Sequence, residues 1–125
     1  MNNIEIEKVI NLVSNKRYEY FIKKICDYEE VWGLYNNGWA SMEDDSKDTL
    51  IPFWPMKEYA NLCKTNEWIN YEAFPISLDD FLNKWIPGMN KDKRNFAIFV
   101  VKNDFGIKVT PEQLEKDINL ELENY

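Results

Sequence analysis

The chain has 125 residues, 45% of them hydrophobic, 15% aromatic and 30% charged, with a formal net charge of −7. This length builds one compact domain burying roughly two thirds of the surface its unfolded chain exposes, and the tryptophans at 32, 39, 54, 68 and 85 argue against disorder. No histidine is present, so Ser-His-Asp and Cys-His catalysis and imidazole-bound zinc are excluded; Cys26 and Cys63 are too few for a four-thiolate site, and the acidic balance disfavours a phosphate backbone as partner.

The start, Met1-Asn2-Asn3-Ile4-Glu5, has no basic segment ahead of an apolar run, so no secretory leader is expected and the expected location is cytoplasmic, with both thiols reduced. Ile6, Val9, Ile10 and Val13 share one helical face, and Tyr18, Phe21, Ile22 and Ile25 share another. Continuing the first stripe lands on Arg17, and Ser14 is a good N-cap, which predicts two helices with a break near Ser14. Val31 to Tyr35 and Trp39 to Met42 read as strands around Asn36-Asn37-Gly38, where Asn-Gly supplies the positive φ of a tight hairpin. Glu43 to Asp48 is a polar loop, and Thr49 to Trp54 is a third strand whose Pro52 cannot donate to a ladder and so predicts an edge position.

Pro55 opens a helix to about Lys64 with Tyr59, Leu62 and Cys63 turned inward. Trp68 to Phe74 is ambiguous and admits a short strand before Ser77. Ser77 then caps a helix carrying Leu78, Phe81, Leu82 and Trp85, with Asp79 and Asp80 in its first turn and Pro87-Gly88 as its stop. Phe96 to Val101 is the most apolar strand, turned back by Asn103-Asp104-Phe105-Gly106 into Ile107 to Val109. Thr110-Pro111-Glu112-Gln113 begins the last helix, whose stripe is Leu114, Ile118 and Leu122. No repeat, low-complexity tract or linker divides the chain. The pattern predicts a single α+β domain over 1–125: N-terminal helices, an antiparallel sheet built from hairpins with helices packed on it, and a C-terminal helix.

Several patterns imitate functional motifs. Asp44-x-Ser46-x-Asp48 resembles the opening of an EF-hand loop, but Thr49 stands where a turn-making Gly is needed and Pro55 where a bidentate Glu is needed, so no metal is expected. Asp104-Phe105-Gly106 matches the magnesium-binding tripeptide of kinases, yet sits in a predicted turn with no glycine-rich loop upstream. Cys26 and Cys63 extend apolar helical faces, where a thiol acts as a small hydrophobe and no base stands by to activate it. The pairs Glu29-Glu30, Asp44-Asp45 and Asp79-Asp80 read as solvated faces and caps, since adjacent side chains point apart. Thr49 to Ala60, with two prolines and two large aromatics at a strand-to-helix junction, reads chiefly as core, with a partner-binding rim of Trp54, Met56 and Tyr59 as the alternative.

Arg17-Tyr18-x-Tyr20-Phe21-Ile22-Lys23-Lys24, Asp27-x-Glu29-Glu30-Val31-Trp32-Gly33-Leu34, Gly38-Trp39-Ala40, Glu43-Asp44-Asp45, Pro52-x-Trp54-Pro55-x-Lys57-Glu58-Tyr59-Ala60 and Leu78-Asp79-x-Phe81-Leu82-x-Lys84-Trp85-x-Pro87-Gly88 carry a resemblance over nearly the whole chain. In order and spacing they resemble a family of small bacterial proteins catalogued as domain of unknown function 2750. The resemblance implies no activity, cofactor or catalytic residue. Many relatives have His after Trp-Pro, where this sequence has Met56.

The sequence therefore points away from an enzyme and towards a non-enzymatic cytoplasmic interaction module with no cofactor, no nucleic-acid partner and no membrane. An immunity-protein-like role fits: an acidic domain steered by charge onto a basic or neutral protein. The candidate contact residues are Trp54, Met56, Tyr59, Glu43, Asp44, Asp45 and Asp48, joined by the acidic last helix with Glu112, Glu115, Asp117, Glu121 and Glu123. The alternative is a small-molecule-binding regulator with an aromatic pocket of Trp32, Trp39, Trp54 and Tyr59.

Overall fold

A computed structural model describes residues 2–125. Two helices come first, α1 (Asn3–Ile10) and α2 (Ser14–Tyr28). The side chain of Asn2 caps α1 by accepting from the Glu5 N–H at 2.8 Å. The break falls where the change of stripe predicts, but the cap does not: Val13 has the extended backbone of the N-cap position and Ser14 is already helical, with no side-chain cap bond. Phe21, Ile22, Ile25 and Cys26 form the buried stripe of α2, which ends at Glu29 in the left-handed region (φ 57).

The strands are β1 (Glu30–Tyr35), β2 (Met42–Glu43), β3 (Thr49–Phe53), β4 (Glu72–Ser77), β5 (Asn95–Ile98) and β6 (Ile107–Val109). They form a two-stranded sheet β1-β4 and a four-stranded sheet in the order β2-β3-β5-β6. The fold is α+β. Three strand pairs are antiparallel, while β3 and β5 run parallel because helices occupy the long connection between them. The two sheets are stitched by a reciprocal bridge, Trp32 N–H to the Trp54 carbonyl at 2.9 Å and Trp54 N–H to the Trp32 carbonyl at 2.8 Å.

The first hairpin differs from expectation. The chain does reverse at Asn36-Asn37-Gly38, with Asn37 at φ 56, but pairing stops at the Tyr35–Trp39 bridge, and the full-length partner of β1 is β4, on its other edge. The reason is competition for one edge of β1. The arm lies beside β1 only as far as the Ala40 N–H bond to the Leu34 carbonyl at 2.8 Å, because the next position on that edge, Trp32, is taken by Trp54; the Trp39 ring meanwhile lies over Gly33, 2.9 Å from where a β-carbon would stand. Pro52 is also not at an edge, since β3 is interior. Its ring nitrogen faces the same side as the Trp54 N–H, where β2 has already ended at Leu50 and the Trp32 bridge has not begun, so no ladder bond is forfeited.

Helix α3 (Lys57–Leu62) buries Tyr59 and Ala60, and a six-residue helix has only one inward face; Leu62 falls off it and is exposed. A 3₁₀ turn (Asn66–Trp68) leads to β4. The Ser77 hydroxyl then accepts from Asp80 N–H at 3.1 Å and starts α4 (Leu78–Asp80), as its sequence predicts. This helix does not stop at Pro87-Gly88. It continues through a π-helical segment (Phe81–Trp85) into α5 (Ile86–Lys91). The π turn, with Ile86 N–H bonded to the Phe81 carbonyl, places Pro87 in a new first turn that needs no donor.

Strand β5 ends at Ile98, short of Val101, because Phe99 takes φ 63, a left-handed conformation that costs a bulky residue strain. The last helix, α6 (Pro111–Leu122), is capped by Thr110, whose hydroxyl accepts from Gln113 N–H at 3.2 Å, and it packs on α2 and α5 through Leu114 and Ile118. An aromatic cluster of Phe53, Phe81 and Phe96 centres the core, each buried ring contributing on the order of 1.5–3 kcal/mol, and the half-buried Trp85 stands edge-on against Phe53. Among the described residues no helix is long and apolar enough to cross a membrane.

Candidate functional site

The acidic loop between β2 and β3 is organised from within. One Asp44 carboxylate oxygen accepts from the Ser46 and Asp48 N–H groups at 2.9 and 3.0 Å, and the other lies 2.6 Å from the Lys108 ammonium on β6. Asp48 reaches the same ammonium at 2.9 Å. Lys108 and the backbone donors hold the Asp44 carboxyl below the usual range, and the two carboxylates raise the Lys108 pKa in turn. Glu43 and Asp45 are exposed and make no ion pair among the described residues.

The aromatic segment after it is interior. Trp54 has no exposed surface and donates its indole N–H to the Val100 carbonyl at 2.8 Å. Tyr59 is enclosed too, its hydroxyl 3.0 Å from that of Tyr20, while Met56 is half-buried beside Tyr20. A binding rim of Trp54 and Tyr59 is therefore corrected to core: the junction is clamped between the Trp32 bridge and the Val100 segment. The same burial dissolves the four-aromatic pocket, since Trp54 and Tyr59 open onto nothing.

The thiols are structural. The Cys63 sulfur donates to the Val100 carbonyl at 3.3 Å, and burial pushes its pKa up to about 11; burial, with Glu121 nearby, does the same to Cys26. At pH 8 the thiolate fraction of each is thus on the order of a thousandth. Native protein is expected to resist iodoacetamide over hours at that pH and to take up two labels in denaturant, read by mass spectrometry; rapid native labelling would contradict the assignment.

Trp39 faces a cleft of about 440 Å³ that sequence reasoning missed. One wall comes from the β1–β2 connection and β3, through Trp39, Ser41, Thr49 and Ile51. The facing wall is helical: Lys84, Trp85, Gly88 and Met89 recur at the spacing of one helix face, with Asp92 a turn further on. Arg94 completes the rim. The rings are held from behind. Trp85 stands edge-on to Trp39 and to Phe53, each with centroids 5.1 Å apart, and Trp39 is seated on Gly33. Gly88 leaves the helical wall open, because a β-carbon there would meet nothing within 4 Å.

The segment that forms the helical wall and rim is locally basic. Residues 84–94 contain four cations, Lys84, Lys91, Lys93 and Arg94, against one carboxylate, Asp92, in a chain of net charge −7. Lys84 pairs with Asp80 across an exposed helical turn at 3.4 Å. Lys93 takes φ 57 just past α5, and the Arg94 N–H returns to the Met89 carbonyl at 2.9 Å, which fixes the backbone of the rim. That basic run was visible in the sequence, but net charge conceals a local reversal.

Fold and cleft together define a small α+β domain with an open, aromatic-walled cleft and a basic rim. The chain belongs to the family described as Protein of unknown function (DUF2750), whose model matches residues 18–118, a span that contains the whole cleft. No curated protein matches the chain, and no solved structure does.

Proposed function

We propose that the protein is a non-enzymatic cytoplasmic binding module that takes a small ligand in the Trp39–Trp85 cleft. The observation that carries this reading is the cleft itself: about 440 Å³, the size class of small-molecule sites, with apolar rings set on rigid elements and a few polar groups at its mouth. The test is a proton–nitrogen NMR screen against a metabolite library. Ligands are expected to shift the Trp39 and Trp85 indole signals; a screen in which no compound perturbs them, or in which all shifts fall elsewhere, rejects the cleft as the site.

A second reading keeps the acidic, immunity-protein-like interaction module. It is favoured by the exposed carboxylates Glu112, Glu115 and Glu123 of α6 and its end. Its loop component is reduced, because Asp44 and Asp48 already hold Lys108, leaving Glu43 and Asp45 free to meet a basic protein. Charge-steered association weakens as salt rises.

A further inference from the structure

We propose that the ligand of this cleft is an organic anion with a planar apolar body, the body lying against Trp39, Trp85 and Met89 and its carboxylate or phosphate meeting Lys84 and Arg94. This rests on the reading of the cleft as a ligand site and adds the chemistry that site selects. Two observations join here. The walls offer two indole rings and a thioether, surfaces suited to a flat, polarisable body. The mouth offers cations, in a protein whose remaining surface is strongly acidic and repels anions.

The two cations have different roles. Arg94 presents a planar fork of donors on a backbone fixed by its bond to Met89, the geometry that grips a carboxylate or phosphate with two parallel hydrogen bonds. Lys84 lines the cleft and pairs with Asp80 at 3.4 Å, an exposed contact weak enough for a ligand anion to share. On the opposite wall the Ser41 and Thr49 hydroxyls serve either as donors to the same anion or as partners for polar groups on the body. Asp92 sits among the lining groups as the one carboxylate, against the two lining cations Lys84 and Arg94.

The experiment measures affinities by NMR titration for matched probes: naphthoate against the neutral naphthamide, adenosine monophosphate against adenosine, and inorganic phosphate alone. The anion of at least one matched pair is expected to bind about tenfold or more tightly than its neutral partner, and Lys84→Gln and Arg94→Gln are each expected to reduce that advantage several-fold. Which pair shows the effect distinguishes carboxylate from phosphate. Gly88→Phe is expected to fill the cleft and abolish binding, while Gly88→Ala, with open space and no left-handed backbone at this position, is expected to melt at or above the wild-type temperature and retain binding. Neutral probes binding as tightly as their anions overturn the charge assignment while the cleft stands as a ligand site. Inorganic phosphate binding as tightly as the nucleotide overturns the need for a planar body. Binding by every probe that survives Gly88→Phe in a folded variant overturns the cleft and, with it, the proposal.

Discussion

Trp54→Ala is expected to destabilise the protein by about 3–5 kcal/mol, the range for removing a large aromatic side chain from a well-packed core. The indole has no exposed surface, stands edge-on to Trp68 with centroids 6.2 Å apart, and donates to the Val100 carbonyl. Trp54→Phe is expected to cost less, about 1–3 kcal/mol, because most of the ring volume stays and the Val100 carbonyl keeps the Cys63 thiol as a donor. Urea unfolding followed by circular dichroism separates this from a surface role. A binding hot spot would change a partner's affinity and leave the midpoint in place, so a Trp54→Ala loss under about 1 kcal/mol would return this residue to the interface reading.

Two of the three predicted caps formed, Ser14 being the exception, whereas long-range pairings were not legible. Ser77 and Thr110 cap helices because a hydroxyl three residues ahead of an N–H needs no information from elsewhere. The pairing of β1 with β4 was illegible, since Glu30 meets Ser77 across a connection that no periodicity records. The two prolines misled for a related reason. Pro52 and Pro87 were read as edge and stop from the donor each lacks, but the gap beside β3 and the π turn before α5 supply places where no donor is wanted.

At the candidate site the residue types were visible and their assembly was not. Trp39 and Trp85 are 46 positions apart by their numbers and meet edge-on only because Gly33 has no side chain to keep the Trp39 ring away. Trp54 and Tyr59 attracted a functional reading by being large and aromatic, yet five tryptophans in a chain of 125 residues must share one core. Asp44 and Asp48 were counted as free negative charge because Lys108, their partner, lies in a distant strand.

Arg17 shows how far a single misread position reaches. As an interruption of an apolar stripe it marked the break between α1 and α2, but it lies buried in the face of α2 and ties three segments together. Its guanidinium donates to the Leu12 carbonyl at 2.6 Å and to the Phe99 carbonyl at 3.3 Å, and it forms an ion pair with Asp104 at 3.0 Å, less well aligned than a hydrogen bond. Asp104 in turn accepts from Gly106 N–H at 2.8 Å, so the kinase-like tripeptide is the turn that follows the strained Phe99. Arg17→Met is expected to cost about 2–4 kcal/mol at pH 7, because the apolar stem is replaced while a buried carbonyl and a carboxylate lose their donor. The pH dependence isolates the ionic part. Burial raises the Asp104 pKa, but the Gly106 bond and Arg17 outweigh it and hold the folded value below the usual carboxylate range. A folded pKa below the unfolded one means that Asp104 stabilises fully above about pH 4 and that this contribution is lost as pH falls through the folded value. The stability difference between wild type and Asp104→Asn, measured by urea unfolding, is therefore expected to hold from pH 7 to about pH 5 and to shrink below about pH 4. A difference that stays constant into the acid range would show that the carboxylate acts only as a turn acceptor, a role the asparagine oxygen can also fill.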